Sequence, residues 1–304
     1  MCNYLVTGAN GNLGRRLIRE TLLADSANRV TAVVRSERAR DTVAAMELPD
    51  EARDRLTLEV LSYTDINALN NVCLDVDRVV HTVGIIKEAQ SATYEDAHEA
   101  SCEALVAALK GTQVKHVTYL SIVGSKPESN NACLASKGRA EEILLGGEVS
   151  CCVLQVPMVL GEGDYASFAL KKRASGGLAF GFRMGSLEQP IYAGDVVRAI
   201  VAAGQVQVDA RLELGGPEVI ERGELTRRAA AVLGTSPRVV SLPIGLGRAV
   251  VKLLESISGN PPMTVAMLNV LDHDDRVDPQ PACDVLGLGE LTSLDEMLRR
   301  VFEV

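Results

Sequence analysis

Three glycines near the start of the chain have the spacing of a phosphate-binding turn. They lie in the segment from Tyr4 to Gly14, where an apolar run passes into T-G-x-x-G-x-x-G and then into a helix-forming stretch. This is the strand, turn and helix order of a dinucleotide site. Gly8 permits the tight turn, Gly11 lets backbone N–H groups approach a pyrophosphate, and Gly14 lets the helix pack against the strand. The positive end of the helix dipole then faces the phosphates.

A plain glycine-rich turn would account for the fold of this segment but not for its spacing. We therefore predict a dinucleotide cradle. Its residues are Thr7, Gly8, Asn10, Gly11, Asn12, Leu13 and Gly14.

The end of the second predicted strand bears on which nicotinamide cofactor is bound. A carboxylate there accepts a hydrogen bond from the 2′-hydroxyl of NAD, whereas arginine accommodates the 2′-phosphate of NADP. Here Arg29–Val34 is followed by Arg35 and Ser36, with Arg38 close behind. The planar guanidinium of Arg35 suits a phosphate, so we predict NADP(H) in preference to NAD(H). In the alternative, Arg35 stacks on adenine and does not distinguish the cofactors.

Strands and helices alternate through the first half of the chain. This alternation implies an α/β fold of the Rossmann type, a doubly wound parallel sheet with right-handed crossovers. After the fifth strand a helix is predicted over Ala135–Leu145. After Pro157 the pattern loosens, and residues 161–185 are glycine-rich and irregular. We predict an NAD(P)-binding domain at residues 1–160. Residues 161–304 form a smaller C-terminal substrate lobe, which could share elements with the sheet. The predicted strands are Asn3–Thr7, Arg29–Val34, Leu56–Leu61, Arg78–Val83, His116–Ile122, Ser150–Val156 and the short Arg211–Leu214.

The chain resembles the short-chain dehydrogenase/reductase superfamily, in its extended or atypical branch. T-G-x-x-G-x-x-G is that branch's glycine signature. The pattern is most similar to proteins related to the 39 kDa subunit of NADH-ubiquinone oxidoreductase, and the likeness covers nearly the whole chain. It implies NAD(P) binding, although that group includes members without established turnover. The segments that carry the likeness are Val79–Ile85, Leu134–Lys137, Gln189–Ile191, Asp195–Val196, Leu214–Glu218, Ala282–Leu288 and Leu291–Leu294.

This resemblance implies further cofactor contacts. Relatives often carry Asp after the third strand to hold the adenine amine, but this chain has Ser62 and Tyr63 there, so the contact would fall to Tyr63 or to backbone. Pro157 and Met158 close the sixth strand beside the expected nicotinamide position, although Pro157 also serves to end the strand. The contacts expected beyond the cradle are Arg35, Ser36, Arg38, Tyr63, Thr82, Val83, Gly84, Lys137, Pro157 and Met158.

The same resemblance implies a catalytic helix with the pattern Tyr-x-x-x-Lys, in which Tyr protonates the alkoxide left by hydride transfer. The chain keeps the lysine as Lys137 but has Cys133 where the tyrosine is expected. A serine or threonine near the end of the fifth strand usually binds the carbonyl; here Ser121 precedes Ile122, which takes the usual serine's position. The candidate catalytic residues are Lys137, Ser121 and Cys133.

Three hypotheses remain open. In the first, a carbonyl is reduced with another acid or a water relay, because losing one general acid typically costs 10²- to 10⁴-fold in rate. In the second, Cys133 is the acid, with its thiol pKa lowered by Lys137. In the third, the protein binds NADP(H) without turnover, as a structural subunit, assembly factor or redox sensor. The alternative donors for the first hypothesis are Ser121, Ser125, His81, Tyr165 and Tyr192.

Apolar residues of the lobe suggest the substrate class. They would give the cleft an apolar entrance suited to a bulky, flat or lipidic carbonyl compound, such as a polycyclic ketone or a quinone. In the alternative they form the core of the lobe. The residues are Phe168, Phe180, Phe182, Met184 and Leu187.

Composition disfavours several classes of partner. The net charge of −9 disfavours nucleic acid and anionic membrane surfaces, and the basic run Lys171–Arg173 is short enough to be a solvated helix face. No apolar segment reaches the length of a membrane span, and the first strand begins too early for a signal peptide. Seven cysteines without a C-x-x-C pair are typical of a reducing compartment. We predict a cytoplasmic protein, with a protein partner if it is not an enzyme.

No metal site is predicted. The four histidines lack metal-ligand spacing, and the acidic segment at residues 272–275 lacks the spacing of a calcium loop.

Overall fold

A parallel sheet of seven strands lies at the centre of the structure, a computed structural model that describes residues 2–89, 92–257, 268–269 and 274–303. Short two-stranded ribbons accompany the sheet. The described strands are β1 (Asn3–Thr7), β2 (Arg29–Val34), β3 (Leu56–Val60), β4 (Arg78–His81), β5 (His116–Ile122), β6 (Cys151–Val156), β7 (Val159–Leu160), β8 (Leu178–Phe182), β9 (Leu187–Glu188), β10 (Ile191–Tyr192), β11 (Ala210–Glu213), β12 (Ile220–Glu221) and β13 (Arg238–Leu242).

The sheet has the strand order β11-β6-β5-β4-β1-β2-β3, with every neighbouring pair parallel. The order reverses between β1 and β4, because the chain leaves β3 at one edge and returns beside β1. Ligands of such sheets bind outside the carboxyl ends of the strands at this switch point. The topology confirms the predicted Rossmann-type α/β fold. It also shows that β11, from the second half of the chain, completes the sheet beside β6.

Helices cover both faces of the sheet. A π-helical turn at Glu95–Ala100 leads directly into α5. The described α-helices are α1 (Asn12–Ala24), α2 (Glu37–Ala44), α3 (Asp50–Arg53), α4 (Ile66–Cys73), α5 (Ser101–Ala108), α6 (Ala132–Leu145), α7 (Tyr165–Ala174), α8 (Ala193–Val206), α9 (Arg222–Val232), α10 (Ile244–Ile257), α11 (Gln280–Leu286) and α12 (Leu294–Phe302).

The core is aliphatic on both faces of the sheet, as the scarcity of aromatic residues predicts. One cluster joins β1, β2 and β6 to α1, α8 and α11, with Leu17 and Ile200 fully buried. The other joins β4 and β5 to α5 and α6, with Leu105 and Tyr119 fully buried. Strands packed on both faces are the arrangement that parallel sheets require.

The lobe has a separate apolar core. Leu170 of α7, Leu225 of α9 and Met297 of α12 pack together there. The ribbons β7–β10, β8–β13 and β9–β12 connect this core to the sheet. Among the described residues, no helix has the length and apolarity to cross a bilayer.

Two sequence predictions about local structure need correction. Residues 161–185, predicted to be irregular, contain helix α7 and strand β8, because Leu170 and Ala174 of α7 supply an apolar face for the lobe core. Helix α6, predicted to begin at Ala135, begins at Ala132, since the side chain of Asn131 accepts hydrogen bonds from the first free N–H groups.

No cluster of three or more potential metal ligands occurs in the ranges that the structure covers. Residues 272 and 273 of the acidic segment lie outside the described residues.

Candidate cofactor site

The glycine turn connects β1 to α1 at the switch point of the sheet. Gly8 has φ +72°, in the left-handed region, and a Cβ atom there would lie 2.8 Å from Thr82 Oγ1. A Cβ atom on Gly14 would lie 2.8 Å from the Gly8 carbonyl oxygen, so Gly14 allows α1 to approach the strand. Gly11, the N-cap of α1, and Asn10 are exposed. The free N–H groups of the helix therefore open to solvent where a phosphate would bind.

Tyr63 forms hydrogen bonds with the backbone of the glycine turn and of β2. Its hydroxyl accepts a hydrogen bond from Gly8 N–H at 3.1 Å and donates to the carbonyl of Val33 at 3.3 Å. The ring is 7% exposed. The hydroxyl that we predicted to contact adenine is thus used to tie the turn to β2.

Thr7 and His81, at the ends of β1 and β4, form a buried pair beneath the cradle. Thr7 Oγ1 lies 2.7 Å from His81 Nδ1, and Ser101 Oγ lies 3.3 Å from His81 Nε2. Burial, together with Lys137 and His98, lowers the pKa of His81 to about 3. His81 is therefore neutral at physiological pH, and both of its nitrogens are engaged in the core.

The tip of β2 presents Arg35 and Arg38 to solvent, on the side of the sheet where the glycine turn lies. Neither arginine forms an ion pair within the part of the chain that the structure covers. Ser36 is also exposed; its hydroxyl accepts the Ala39 N–H at 3.3 Å as the N-cap of α2. The predicted phosphate-binding side chains are thus all exposed within four consecutive residues, while Glu37, which lies among them, pairs with Arg40.

Lys137 of α6 points into the carboxyl ends of β4 and β5. Nζ donates to the Leu120 carbonyl at 2.8 Å, lies 3.5 Å from the Val83 carbonyl oxygen, and sits 4.3 Å from the ring centroid of Tyr119. A Cβ atom on Gly84 would lie 3.0 Å from Nζ. The side chain is 5% exposed, and this burial lowers its pKa to about 8.

The loop after β4, residues 83–86, is fixed by side chains from other elements. Cys133 Sγ lies 3.6 Å from the Ile85 carbonyl oxygen, and the Tyr94 hydroxyl donates to the Ile86 carbonyl at 2.8 Å. His98 Nε2 accepts the Ile85 N–H at 3.1 Å, and the His98 and Tyr94 rings stack. The predicted cofactor contacts of this loop therefore depend on α6 and on the helix after residue 93.

Cys133 is fully buried beneath this loop. Burial raises the pKa of its thiol to about 11, even though Lys137 lies one turn along the same helix and acts in the opposite direction. Its short side chain leaves room for Ile85 and Tyr94. A protonated thiol hydrogen-bonded to a backbone carbonyl is a poor general acid.

Ser121 belongs to a buried polar network rather than to the surface of the cleft. Its hydroxyl donates to the Glu141 carboxylate, which also accepts from Gln155 Nε2 at 2.9 Å and from Arg211 Nε at 2.6 Å. This network ties β5, β6 and β11 to α6. Ser125, another candidate donor, has a buried hydroxyl without a partner in the described chain.

A connection between the cradle and the lobe was not foreseen from sequence. Asn12 Nδ2 donates to the Glu162 carbonyl at 2.9 Å, and Arg16 forms an ion pair with the Glu162 carboxylate. The Tyr192 hydroxyl donates to the same carboxylate at 2.8 Å. Sequence offers no signal for the two contacts from α1, since they join positions about 150 residues apart.

The remaining predicted residues have mixed environments. Leu13 and Met158 are half-buried, Pro157 is buried, and the Met158 carbonyl accepts Ile191 N–H at 3.0 Å. Met184, predicted at the lobe entrance, is 4% exposed and belongs to the interior. The other predicted entrance residues are partly or largely exposed: Phe168, Phe180, Phe182 and Leu187.

These observations fit a dinucleotide. The left-handed Gly8, the close approach at Gly14 and the open N-terminus of α1 form a cradle that a side chain would fill. The unpaired guanidinium groups of Arg35 and Arg38 follow the end of β2, on one side of β1. The ammonium of Lys137 lies at the carboxyl ends of β4 and β5, on the other side of β1.

Comparisons with known proteins agree with this geometry. The "NADH dehydrogenase [ubiquinone] 1 alpha subcomplex subunit 9, mitochondrial" of Arabidopsis thaliana is 28% identical over 254 residues, covering 80% of this chain and 61% of that protein. The "Ceramide reductase" of Caulobacter vibrioides is 24% identical over 243 residues, 78% of this chain and 73% of that protein. The chain thus spans about three fifths of the length of the first of these relatives.

Solved structures share the fold. A UDP-glucuronic acid 4-epimerase from Bacillus cereus, in complex with NAD, has a TM-score of 0.74 and 17% identity, covering 99% of this chain and 97% of that chain. A dTDP-glucose 4,6-dehydratase from Bacillus anthracis, also with NAD, has a TM-score of 0.75 and 14% identity, covering 100% and 96%.

The first of these relatives confirms the resemblance to proteins related to a subunit of NADH-ubiquinone oxidoreductase, and the solved structures show the same fold. A family model described as NAD(P)H-binding matches residues 8–159, half of the chain, and the protein belongs to this NAD(P)H-binding family.

Proposed function

We propose that the protein is an NADP(H)-dependent reductase acting on the carbonyl group of a bulky, apolar, lipid-like substrate. The observation that carries the proposal is the buried ammonium of Lys137, held against Gly84 at the switch point of the sheet. Burying a cation is costly, and a purely structural lysine would be replaceable by an apolar residue. A pKa of about 8 makes this lysine able to release a proton near neutral pH.

Different residues of the chain would bind different parts of the cofactor. Backbone N–H groups at Asn12 and Leu13, in the first turn of α1, would hold the pyrophosphate, and Arg35 and Arg38 the 2′-phosphate. Bound NADPH supplies a hydride. Lys137 would orient the nicotinamide ribose and restore the proton to the product oxygen, directly or through water, while Cys133 keeps a packing role.

The preference for NADP(H) can be tested separately from turnover. We expect Arg35→Ala with Arg38→Ala to weaken NADPH binding about tenfold or more and to leave NADH binding nearly unchanged, because each guanidinium–phosphate contact is charge-assisted. Arg40→Ala is the matched control, since Arg40 lies on the same helix but pairs with Glu37. Equal losses for both cofactors would show that the arginines stack on adenine instead.

The apolar character of the substrate has two supports. One relative is named a ceramide reductase, which suggests a lipid substrate. In this chain, Tyr165 and Phe168 are 77% and 64% exposed, directly after the segment that Asn12 contacts. A lipid-like carbonyl compound could thus meet the cofactor between the sheet and the lobe.

A second candidate function is a cofactor-binding subunit without turnover. The relative from Arabidopsis thaliana is named as a dehydrogenase subunit, and here Cys133 and Ser121 are both engaged in structural contacts. In that role a protein partner is required. The division at residue 160 and a cytoplasmic location also remain proposals, and that relative is named as mitochondrial.

The decisive experiment combines NADPH titration with single-turnover oxidation against long-chain ketones, polycyclic ketones and quinones. We expect one class to oxidise bound NADPH, with Lys137→Met slowing oxidation by 10²-fold or more and Cys133→Ala changing it little. Tight NADPH binding with no oxidation by any acceptor would favour the subunit. Oxidation unaffected by Lys137→Met would remove Lys137 from the chemistry.

A further inference from the structure

The exposed side of helix α7 combines aromatic and basic side chains. Tyr165, Phe168, Lys171 and Lys172, which we call the α7 surface, lie on one side of the helix, while Leu170 on the other side packs into the lobe core. Such exposed aromatic groups normally mark a binding surface.

The local charge of helix α7 and the segment after it is opposite in sign to the net charge of the chain. The net charge of the chain is −9, yet residues 165–187 contain four basic residues and no acidic ones. Lys171 and Lys172 have no ion pair among the described residues. Arg173 is directed inward, with Nη1 3.5 Å from a Cβ position on Gly181, and Arg183 lies 3.6 Å from Asp274. The free charge of the segment is therefore concentrated on the α7 surface.

A cavity of about 440 Å³ opens beside these residues, between α7 and the end of α12. Phe168 and Phe302 line it, together with Val301, Lys171 and Asp164. Its apolar walls offer space for hydrocarbon next to a lysine.

We propose that the α7 surface docks the protein on an anionic lipid bilayer. Tyr165 and Phe168 enter the interface, where amphipathic and aromatic rings are favoured. Lys171 and Lys172 lie at the level of the acidic headgroups, each contributing to attraction over about one Debye length. The chain as a whole is negative, and Glu162 and Asp164 directly precede the helix, so the attraction must come from the local positive charge of Lys171 and Lys172.

The docking proposal does not rest on the proposed reaction. Vesicle binding is measured without NADPH, so the two proposals can fail separately. It would place the segment 162–165, which contacts Asn12, at the membrane, and so bring the cofactor cleft near lipid molecules.

Because the chain contains no tryptophan, a single introduced tryptophan reports only on its own surroundings. Phe168→Trp provides a unique fluorophore on the α7 surface, and Leu74→Trp provides one at an exposed apolar position elsewhere, where Leu74 is 50% exposed. We expect vesicles of phosphatidylcholine with phosphatidylglycerol to shift the emission of Trp at position 168 to the blue and brominated lipid to quench it. Vesicles of phosphatidylcholine alone should give a weaker change, and position 74 should give none.

Cosedimentation with the same vesicles measures the contribution of charge. Lys171→Gln and Lys172→Gln should each weaken binding about fivefold, and added salt should weaken it further. Lys110→Gln, at an exposed lysine outside the α7 surface, is the matched control. Unchanged NADPH affinity shows that each variant is folded.

Two results would overturn the proposal. One is equal behaviour of the α7 and control variants with anionic vesicles. The other is a blue-shifted emission at position 168 without vesicles that grows with protein concentration, since this indicates that a second copy of the chain covers the surface.

Discussion

The Nζ atom of Lys137 lies 3.0 Å from the position that a Cβ atom would take on Gly84, so there is no room for a methyl group between the loop after β4 and the lysine side chain of α6. We expect Gly84→Ala to displace the ammonium from the Leu120 carbonyl, because the end of the flexible lysine side chain is the nearest group to the added methyl. NADPH binding should weaken about tenfold, with a loss of about 1–2 kcal/mol in the free energy of unfolding. Isothermal titration and urea denaturation measure the two effects. Gly289→Ala, at a site with open space, should change neither.

The hydroxyl of Tyr63 is expected to stabilise the cradle. Tyr63→Phe removes the acceptor of the Gly8 N–H and one donor to the Val33 carbonyl, which keeps the Ala9 N–H, and a buried polar group without its partner costs about 1–3 kcal/mol. We expect a loss of that size in urea denaturation, accompanied by weaker NADPH binding. Tyr165→Phe, at an exposed ring, should stay within about 0.5 kcal/mol. If both variants unfold alike, the hydroxyl of Tyr63 has no such role.

Restoring a tyrosine at position 133 should not restore a catalytic acid. The space around Cys133 is filled by Ile85 and Tyr94, so Cys133→Tyr should lower the free energy of unfolding by about 1–3 kcal/mol through overpacking. Cys133→Ser keeps a donor toward the Ile85 carbonyl and should leave stability and NADPH oxidation close to those of the unmodified chain. Thermal denaturation and single-turnover rates provide the measurements. A faster, stable Cys133→Tyr protein would contradict the packing role.

Lys137 should make stability depend on alkaline pH. Its pKa is about 8 in the folded protein and about 10.4 when unfolded. Below pH 8 both states hold the proton, and the full cost of burying the charge is present. As pH rises from about 8 to about 10.4 the folded state releases the proton first, so the cost disappears and stability increases.

Relative to Lys137→Met, the free energy of unfolding of the unmodified chain should therefore rise by up to about 3 kcal/mol across that window. Urea denaturation at a series of pH values measures the difference. The exposed Lys110→Met is the control and should run parallel to the unmodified chain. A flat difference for Lys137→Met would mean that the lysine is charged throughout.

The strands of the central sheet could be predicted from sequence, because the signals for a strand, a turn and a helix start are local. The run from Tyr4 to Gly14 contains a strand, a turn and a helix start, and the later strands are apolar runs bounded by turns. The lobe was less predictable, since β8 and β13 are defined by pairing with each other across about 60 residues rather than by their own patterns. Helix α7 was missed for a related reason: its exposed face is aromatic and its periodicity is weak.

The identity of candidate site residues was easier to predict than their surroundings. Lys137 and Gly84 were each predicted as cofactor contacts, and the structure places them side by side. Whether a hydroxyl or thiol faces the cleft depends on long-range neighbours, however, and sequence could not show that Glu141 and Arg211 draw Ser121 into a buried network.

The contacts around residues 83–86 also restrict the ways in which this chain could have evolved. Because Cys133, Tyr94 and His98 all hold the same short loop, a change at any one of them alters the fitness effect of changes at the other two. A tyrosine at position 133 would need prior substitutions at the residues that now fill the space around the thiol. Position 133 is thus an epistatic site, where the consequence of a substitution depends on which residues already stand at positions 94 and 98.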